Sequence, residues 1–314
     1  MEIKKYKAGD ELFILELFKK VFNKEMSIEY WKWRFENNPF SNELMIHLMW
    51  EGDLLVGHYA VSPVDMIIHG TATKTALSMT TMTHPEYTGR GIFSQLSLSL
   101  YRELSEEHQY KFVWGFPNNN SHYAFIKNLK WKNLATIPML SLKTINLQIL
   151  ERQIDIEQHF QFTESVSQKL SFSSKSFKID KTVKYLNWRY LDNPSAEYKI
   201  FTTNGELGIV VYKIIPSFTV HNEFEIDIME IKFNNSINIL NDLICSIITT
   251  EKFKIEKINI WSSIFSEDYL VLEKFGFTAQ LPITYLGYHA LDQFDKSHGV
   301  YEEWDLNLGY SDVY

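Results

Sequence analysis

A single cysteine, Cys245, among 314 residues leaves no partner for an internal disulfide and no cysteine-based zinc site. That points to a reducing compartment and to Cys245 as an inert core residue. No run approaches the roughly 18 apolar residues of a transmembrane helix, and the charged first ten residues lack the apolar stretch of a signal peptide. A cytoplasmic location is expected. Basic residues are in deficit, 31 Lys and Arg against 39 Asp and Glu for a formal charge of −8. Global attraction to nucleic acid or to an anionic membrane is therefore absent, and a small or locally steered substrate fits better. No two of the ten histidines have HxxxH spacing, and the candidate loops hold no acidic cluster, so no metal is expected. Apolar residues are plentiful: 45% are hydrophobic and 15% aromatic, enough for two cores in a chain about two domains long.

The chain repeats itself. YWKWRFENNP from Tyr30 and YLNWRYLDNP from Tyr185 share Tyr30/Tyr185, Trp33/Trp188, Arg34/Arg189, Asn38/Asn193 and Pro39/Pro194. A Gly-acidic turn and a strand follow each copy at nearly the same offset, GDLLVGHY from Gly52 and GELGIVVY from Gly205. A later echo sets FIKNLKW at Phe125 against VLEKFGF at Val271. Repeats of this length are domains, not solenoid units. The paired Trp and Arg are expected to be equivalents at a helix end, with the indole buried and the guanidinium tying down the following loop.

Periodicity orders the elements of the first copy. A strand at 3–7 is followed by a helix over 11–22 with Leu12, Leu15, Phe18 and Phe22 on one face. A second helix passes through Trp33 and stops at Pro39, where proline disfavours helix. Strands at 44–50, 54–69 and 72–83 come next, then a helix bearing Ile92, Leu96, Leu100 and Leu104, a strand at 112–116, a helix at 121–129 and a strand at 136–142. The second copy runs the same way, with a Ser-rich loop at 165–176, a central strand at 226–233 and helices at 237–248 and 269–275. Mixed hairpins and crossovers predict an α/β (α+β) fold of two domains, 1–143 and 144–314, each a mostly antiparallel sheet flanked by helices with one parallel join.

The segment that carries chemistry is MTTMTHPEYTGRGIFSQL from Met79: a strand, a Pro-containing turn, then Gly89-Arg90-Gly91 opening a helix. Successive N–H groups of such a turn, with the unpaired first N–H groups of the helix, form a concave anion site suited to a pyrophosphate. Gly89 and Gly91 admit close backbone approach, and Arg90 adds local positive charge. The alternative is an ordinary strand-to-helix turn that needs glycine for its dihedrals.

This segment resembles the acyl-CoA loop of the GNAT (Gcn5-related N-acetyltransferase) superfamily, whose pattern is Gln/Arg-x-x-Gly-x-Gly/Ala. Thr88, Gly91 and Phe93 fall on its three defined positions, and only the central glycine matches. The order of elements over 1–142 is also the GNAT order. The resemblance implies an N-acyltransferase of tandem type that moves an acetyl group from acetyl-CoA, its co-substrate, to a primary amine of a small molecule. An amino sugar is the preferred acceptor by association with tandem bacterial relatives. It further implies that Thr81, Met82 and Thr83 pair with the pantetheine arm, that Thr88, Gly89, Arg90, Gly91, Ile92 and Phe93 cradle the pyrophosphate, and that Asn118 sits at the mouth of the slot. Asn118 equally suits a helix cap. Phe233-Asn234-Asn235-Ser236-Ile237 of the second copy has no glycine, so that copy is expected to hold no donor and to shape the acceptor site or brace the first. A non-catalytic acyl-CoA-binding or regulatory module, and transfer of a longer acyl or an aminoacyl group, are the alternatives.

Amine acylation needs a proton acceptor and a proton donor for the departing thiolate. The tyrosine that many GNAT enzymes use as donor falls on Ile126, which leaves Tyr123, one turn earlier, as the residue that could reach inward. Residues 72–83 contain no Asp or Glu. The base is therefore sought in the apolar, aromatic tail, 306–314, expected to pack against the first domain near the donor slot and to supply Asp312 or the terminal carboxylate of Tyr314. His58 and His84 are further candidates, with a structural role as the alternative.

Overall fold

The computed structural model describes residues 1–147, 155–291 and 300–311. The chain divides into two compact units, Met1–Ala135 with Tyr285–Tyr301, and Thr136–Thr284 with Glu302–Tyr314. The first copy supplies β1 (Glu2–Lys5), α1 (Glu11–Phe22), α2 (Ile28–Trp31), β2 (Ile46–Glu51), β3 (Leu54–Ile68), β4 (Thr71–Thr83), α3 (Ile92–Glu106), β5 (Phe112–Gly115), α4 (His122–Leu129) and β6 (Lys132–Lys143). The second supplies β7 (Ile156–His159), α5 (Glu164–Ser171), β8 (Phe177–Ile179), α6 (Val183–Leu186), β9 (Tyr198–Thr203), β10 (Ile209–Pro216), β11 (Phe224–Lys232), α7 (Ile237–Thr250), β12 (Ile255–Ile260), α8 (Tyr269–Phe275) and β13 (Thr278–Ala290).

In the first unit β1 to β4 pair antiparallel in sequence order, β5 joins β4 in parallel, and the end of β13 closes the series antiparallel to β5. The second unit repeats this plan: β7, β9, β10 and β11 are antiparallel, β12 joins β11 in parallel, and β6 lies antiparallel to β12. Each sheet thus has the single parallel join that its one helical crossover dictates, α3 in the first unit and α7 in the second. The last strands are exchanged. β6 follows α4 yet pairs with β12, and β13 follows α8 yet its end pairs with β5. A cut at residue 143 therefore does not separate the units.

Strand alternation loads both faces of the first sheet. Val56, Tyr59 and Val61 of β3 meet Ile92, Leu96, Leu100 and Leu104 of α3 on one side. Ala60 of β3 and Met79 of β4 meet Ile14, Leu17, Trp31 and Phe35 on the other. Two expectations change. The buried core of α1 is Ile14 and Leu17, whereas Leu12 is 62% and Phe22 43% exposed; Phe22 packs beside Phe18 near the surface, ring centroids 4.8 Å apart. The Ser-rich stretch is also not all loop: α5 forms because Thr163 caps it, accepting from the Val166 N–H, and because Val166 and Leu170 bury one turn apart.

The repeat is legible in three dimensions. Ser27 caps α2 through the Tyr30 N–H, and Thr182 caps α6 through the Tyr185 N–H. Each helix then loosens into a π-turn, Lys32–Glu36 and Asn187–Leu191, which carries the Trp-Arg pair. Trp33 and Trp188, like Arg34 and Arg189, are buried. Tyr30 lies 5.2 Å from Trp33, and Tyr185 lies 5.8 Å from Trp188, both at 44°. The Asn-Pro turns match as well, since Asn38 Oδ1 accepts from Phe40 N and Asn193 Oδ1 accepts from Ser195 N.

Candidate functional site

The site grows from the point where β4 leaves β5. Their pairing runs Thr75↔Phe112, Ala76↔Val113 and Leu77↔Trp114, whereas β4 continues to Thr83. Among the described residues no ladder pair joins β5 to residues 78–83, so that edge of β4 opens as a notch. Thr80 holds a positive φ of 49°, costly for a β-branched residue, where the β3–β4 register slips between His58 and Ala60. His58 Nδ1 donates to the Thr80 carbonyl over 2.6 Å and fixes this bulge.

His58 is fully buried, and burial pushes its pKa down to about 4, with the Thr80 contact opposing. Its folded value lies below that of the unfolded chain. Acid therefore favours the unfolded state: the contribution is whole above about pH 6.5 and is lost progressively toward pH 4, by up to about 3 kcal/mol. Urea midpoints at pH 7.5 and 4.5 should differ more in the wild type than in His58→Phe; an equal drop in both would assign the acid sensitivity elsewhere.

β4 leads into a 3-10 turn, Pro85–Tyr87, and then into the glycine loop. Gly89 and Gly91 have φ of 78° and 72°. Gly91 is the N-cap of α3 and offers no side-chain cap bond, which leaves the first α3 N–H groups without an intrahelical acceptor. Thr88 is exposed, its hydroxyl donating to the Pro85 carbonyl, and the Arg90 guanidinium sits over the Tyr87 ring at 4.5 Å. Ile92 is buried against β3 at Gly57, where a Cβ would stand 2.3 Å from Ile92 Cγ2. Phe93 is half-buried between Tyr59 and Phe125 as part of the packing of α3. Thr81 and Thr83 are half-buried and Met82 is buried among the α1-side core residues. His84 is buried with Nε2 2.9 Å from Lys20 Nζ, a tie between turn and α1.

The remaining expected residues fall elsewhere. Asn118 lies three residues past the end of β5, and its Oδ1 accepts from the N–H groups of Asn120 and Ser121 in the turn ahead of α4, whose N-cap is Ser121. Tyr123 does not reach inward. It is 64% exposed and its hydroxyl accepts from Lys127 on the next turn of α4, because the inward positions of that short helix go to Phe125 and Leu129. At the root of the notch the sequence reading missed a polar chain. Trp131 Nε1 donates to the Tyr101 hydroxyl, which lies 2.8 Å from the Tyr59 hydroxyl, itself 2.9 Å from Ser78 Oγ. Ser78 is the first β4 residue beyond the last pair with β5. Burial pushes Tyr59 up to about 12, so its hydroxyl stays protonated at neutral pH. Tyr59 falls within the strand read at 54–69, and nothing in the sequence marks its hydroxyl partners.

In the second unit the strand edge is freed in the same way, and the turn that follows it differs. Pairing of β11 with β12 ends at Ile228↔Ile260, and residues 229–232 extend beyond it. The loop to α7 takes left-handed conformations at Asn234 and Asn235 in place of glycine. Its donors are spent internally, since Ser236 caps α7 through Ile239 N and Asp268 accepts from Asn235 N. The expected packing of the tail on the first domain is corrected for its described part: residues 306–311 belong to the second unit. Asn307 Nδ2 donates to Glu230, Arg189 donates to the carbonyls of Gly309 and Ser311, and Tyr310 donates to Asp305. Lys181 is buried beside them, 2.8 Å from Glu230. Asp312 and Tyr314 lie outside the described residues.

Among the described residues one set of groups could approach a metal, Glu103, Glu107 and His108. Glu103 is already answered by His47 Nε2 at 2.7 Å and Lys5 Nζ at 3.0 Å. No helix among the described residues is long and apolar enough to cross a membrane.

Comparison with known proteins returns to the first unit. Residues 2–133 match the family model described as an acetyltransferase (GNAT) domain. No curated protein matches the sequence. Among solved structures, the chain resembles a GCN5-related N-acetyltransferase from Anabaena variabilis at 13% identity and a TM-score of 0.68, covering 93% of this chain and 73% of that one. A GCN5-related N-acetyltransferase from Kribbella flavida aligns at 13% identity and a TM-score of 0.65, covering 93% and 72%. A conserved protein of unknown function from Enterococcus faecalis aligns at 15% and 0.69, covering 92% and 72%. At these identities the likeness is one of fold, and it extends over nearly the whole chain.

Proposed function

We propose that the chain is an acyl-CoA-dependent N-acyltransferase that uses acetyl-CoA, with its one donor site in the first unit. A single contrast carries this reading. In the first unit a strand edge freed from its neighbour leads into a glycine turn and an uncapped helix N-terminus. In the second unit the corresponding turn is capped by its own Ser236 and Asp268. Freed edge and open turn together suit a ligand with an amide-bearing arm and a pyrophosphate: the arm adds to the edge of β4 at residues 81–83, and the phosphates meet the N–H groups of residues 88–93. Arg90, exposed in an acidic protein, supplies local positive charge.

The reaction forms an amide between the acceptor amine and the acyl carbon and releases a thiol, so the sulfur needs a proton as the amine loses one. Ser78, backed by Tyr59 and Tyr101, is the hydroxyl placed where the edge opens, and we assign it to hydrogen-bond the departing sulfur. The second unit closes around its own tail and acts as a scaffold for acceptor binding. Thiol release from acetyl-CoA, measured across an amine panel that includes amino sugars, tests the reading. The expected result is turnover with at least one acceptor and loss of most of it in Ser78→Ala with donor affinity kept. Tight acetyl-CoA binding with no turnover on any amine would instead favour a binding module, the reading that the exposed Tyr123 and the Ile126 position support.

A further inference from the structure

Arg34 and Arg189 occupy the same place in the two repeats, one residue after the buried tryptophan and within the π-turn that ends at the Asn-Pro corner. Both are 4% exposed. Their guanidinium groups fare differently. Arg189 Nε donates to the Gly309 carbonyl over 3.1 Å and Nη2 to the Ser311 carbonyl over 3.0 Å, so one edge of the group is spent on the 3-10 turn at residues 308–311. In Arg34 these same two atoms, Nε and Nη2, are buried and have no hydrogen-bond partner. The guanidinium contacts the Trp33 ring at 5.5 Å, and among the described residues no carboxylate pairs with it. Glu43 lines the same cleft without an ion pair to Arg34.

An arginine is charged at every working pH, and a buried cation with an unanswered donor edge is unstable unless something completes it. The cleft beside Arg34 is lined by Asn38, Ser41, Leu44, Ser62 and Pro63 and has no room for a water molecule, so solvent does not complete it. Nε and Nη2 lie on one edge of the planar group, the fork that two oxygens of one carboxylate match with parallel hydrogen bonds. Asn38, Ser41, Glu43, Leu44 and Met45, from the segment between the π-turn and β2, form one wall of the cleft, and that wall has to shift for an occupant to enter.

The position bears on the reaction. Val61, Ser62 and Pro63, which line the cleft, pair with Ser78, Leu77 and Ala76 of β4. Those are the rungs at which β4 leaves β5, so the cleft lies on the strand next to the root of the donor notch, with Ser62 on the sheet face opposite the Ser78 hydroxyl. We infer that Arg34 is an acceptor-recognition residue, its free edge receiving a carboxylate carried by the amine acceptor. The acceptor class is thereby an amino acid or a similar small amine that bears a carboxylate. The inference rests on the acyltransferase reading of the first unit and narrows its acceptor.

The experiment uses the full-length chain with 15N-labelled arginine. The Arg34 Nε–H resonance, identified by its loss in Arg34→Lys, should shift on addition of amino acids and stay in place with the matching amino amides and decarboxylated amines. In thiol-release assays Arg34→Lys should raise KM at least tenfold for the acids, change it less than twofold for the decarboxylated amines, and leave acetyl-CoA affinity intact. An Nε resonance indifferent to every carboxylate, or equal wild-type use of acids and amides, overturns the assignment. A carboxylate-dependent shift with no turnover on any amine keeps the Arg34 site and removes the acyltransferase reading instead. Should Arg34→Lys fail to fold, comparison of acid with amide on the wild-type protein still decides.

Discussion

Gly91→Val should weaken acetyl-CoA binding by at least tenfold, about 1.4 kcal/mol, in a protein that remains folded. Two costs combine at this residue. Its φ of 72° is a conformation that a β-branched residue adopts only under strain of about 1–2 kcal/mol, so the turn relaxes and re-aims its N–H groups. The new side chain also projects from the N-cap of α3, where the helix otherwise presents bare backbone. The nearest atom to a Cβ there is Gln95 Nε2 at 3.6 Å, which leaves space for the substitution and makes backbone strain and blocked approach, not core overpacking, the expected causes. Titration calorimetry with acetyl-CoA, alongside a thermal melt, separates affinity from stability. Unchanged affinity in a folded variant would remove the glycine turn from the donor site.

Gly57→Val should cost about 3 kcal/mol of stability, the upper end of ordinary overpacking. At this position even a Cβ would stand 2.3 Å from Ile92 Cγ2, 3.0 Å from Leu96 Cδ1 and 3.1 Å from Met49 Cβ. Helix α3 has to lift away from β3, and its first turn, the one that follows the glycine loop, moves with it. Donor affinity should fall together with stability, and Ile92→Ala in the same chain should recover part of both by vacating the contact. Urea denaturation of the two single variants and the double variant measures the coupling. Strict additivity would place the cost outside the Gly57–Ile92 contact. Gly208 and Ile239 repeat the arrangement in the second unit, 2.4 Å apart on the same measure, which makes Gly208→Val a control for stability loss alone.

Much of the fold was legible because its periodicities are strong. The i, i+4 ladder of α3, the long strands β3 and β4 and the Trp-Arg…Asn-Pro repeat each arise from local chemistry that the sequence displays. The misses have local causes too. Thr163 and the Val166–Leu170 pair were masked by surrounding serines, so α5 read as loop. The face of α1 was misplaced because Leu12 and Phe22 are apolar yet lie at the outer ends of the helix. In the site, the glycine loop and the strand leading to it could be read, since both depend on dihedrals that glycine and proline advertise. The hydroxyl chain from Ser78 to Tyr101 and the bulge at Thr80 could not, because they depend on which side chains meet across a sheet and beneath a helix. Arg34 stood in the repeat from the outset, but only comparison with the bonded Arg189 marks its free edge.

The exchange of last strands bears on how the chain is made. During synthesis from the N-terminus, every element of the first unit through α4 emerges early, yet β5 waits for its final neighbour until the end of β13 has left the ribosome. At usual elongation rates that interval is on the order of ten to thirty seconds. Throughout it the nascent sheet carries an open edge of the kind that recruits foreign strands, and β5 is a short, wholly apolar run of Phe112, Val113, Trp114 and Gly115. Completion of the first unit is thus set by a strand translated about 160 residues after α4, so a ribosome that stalls before β13 leaves the older half unfinished as well.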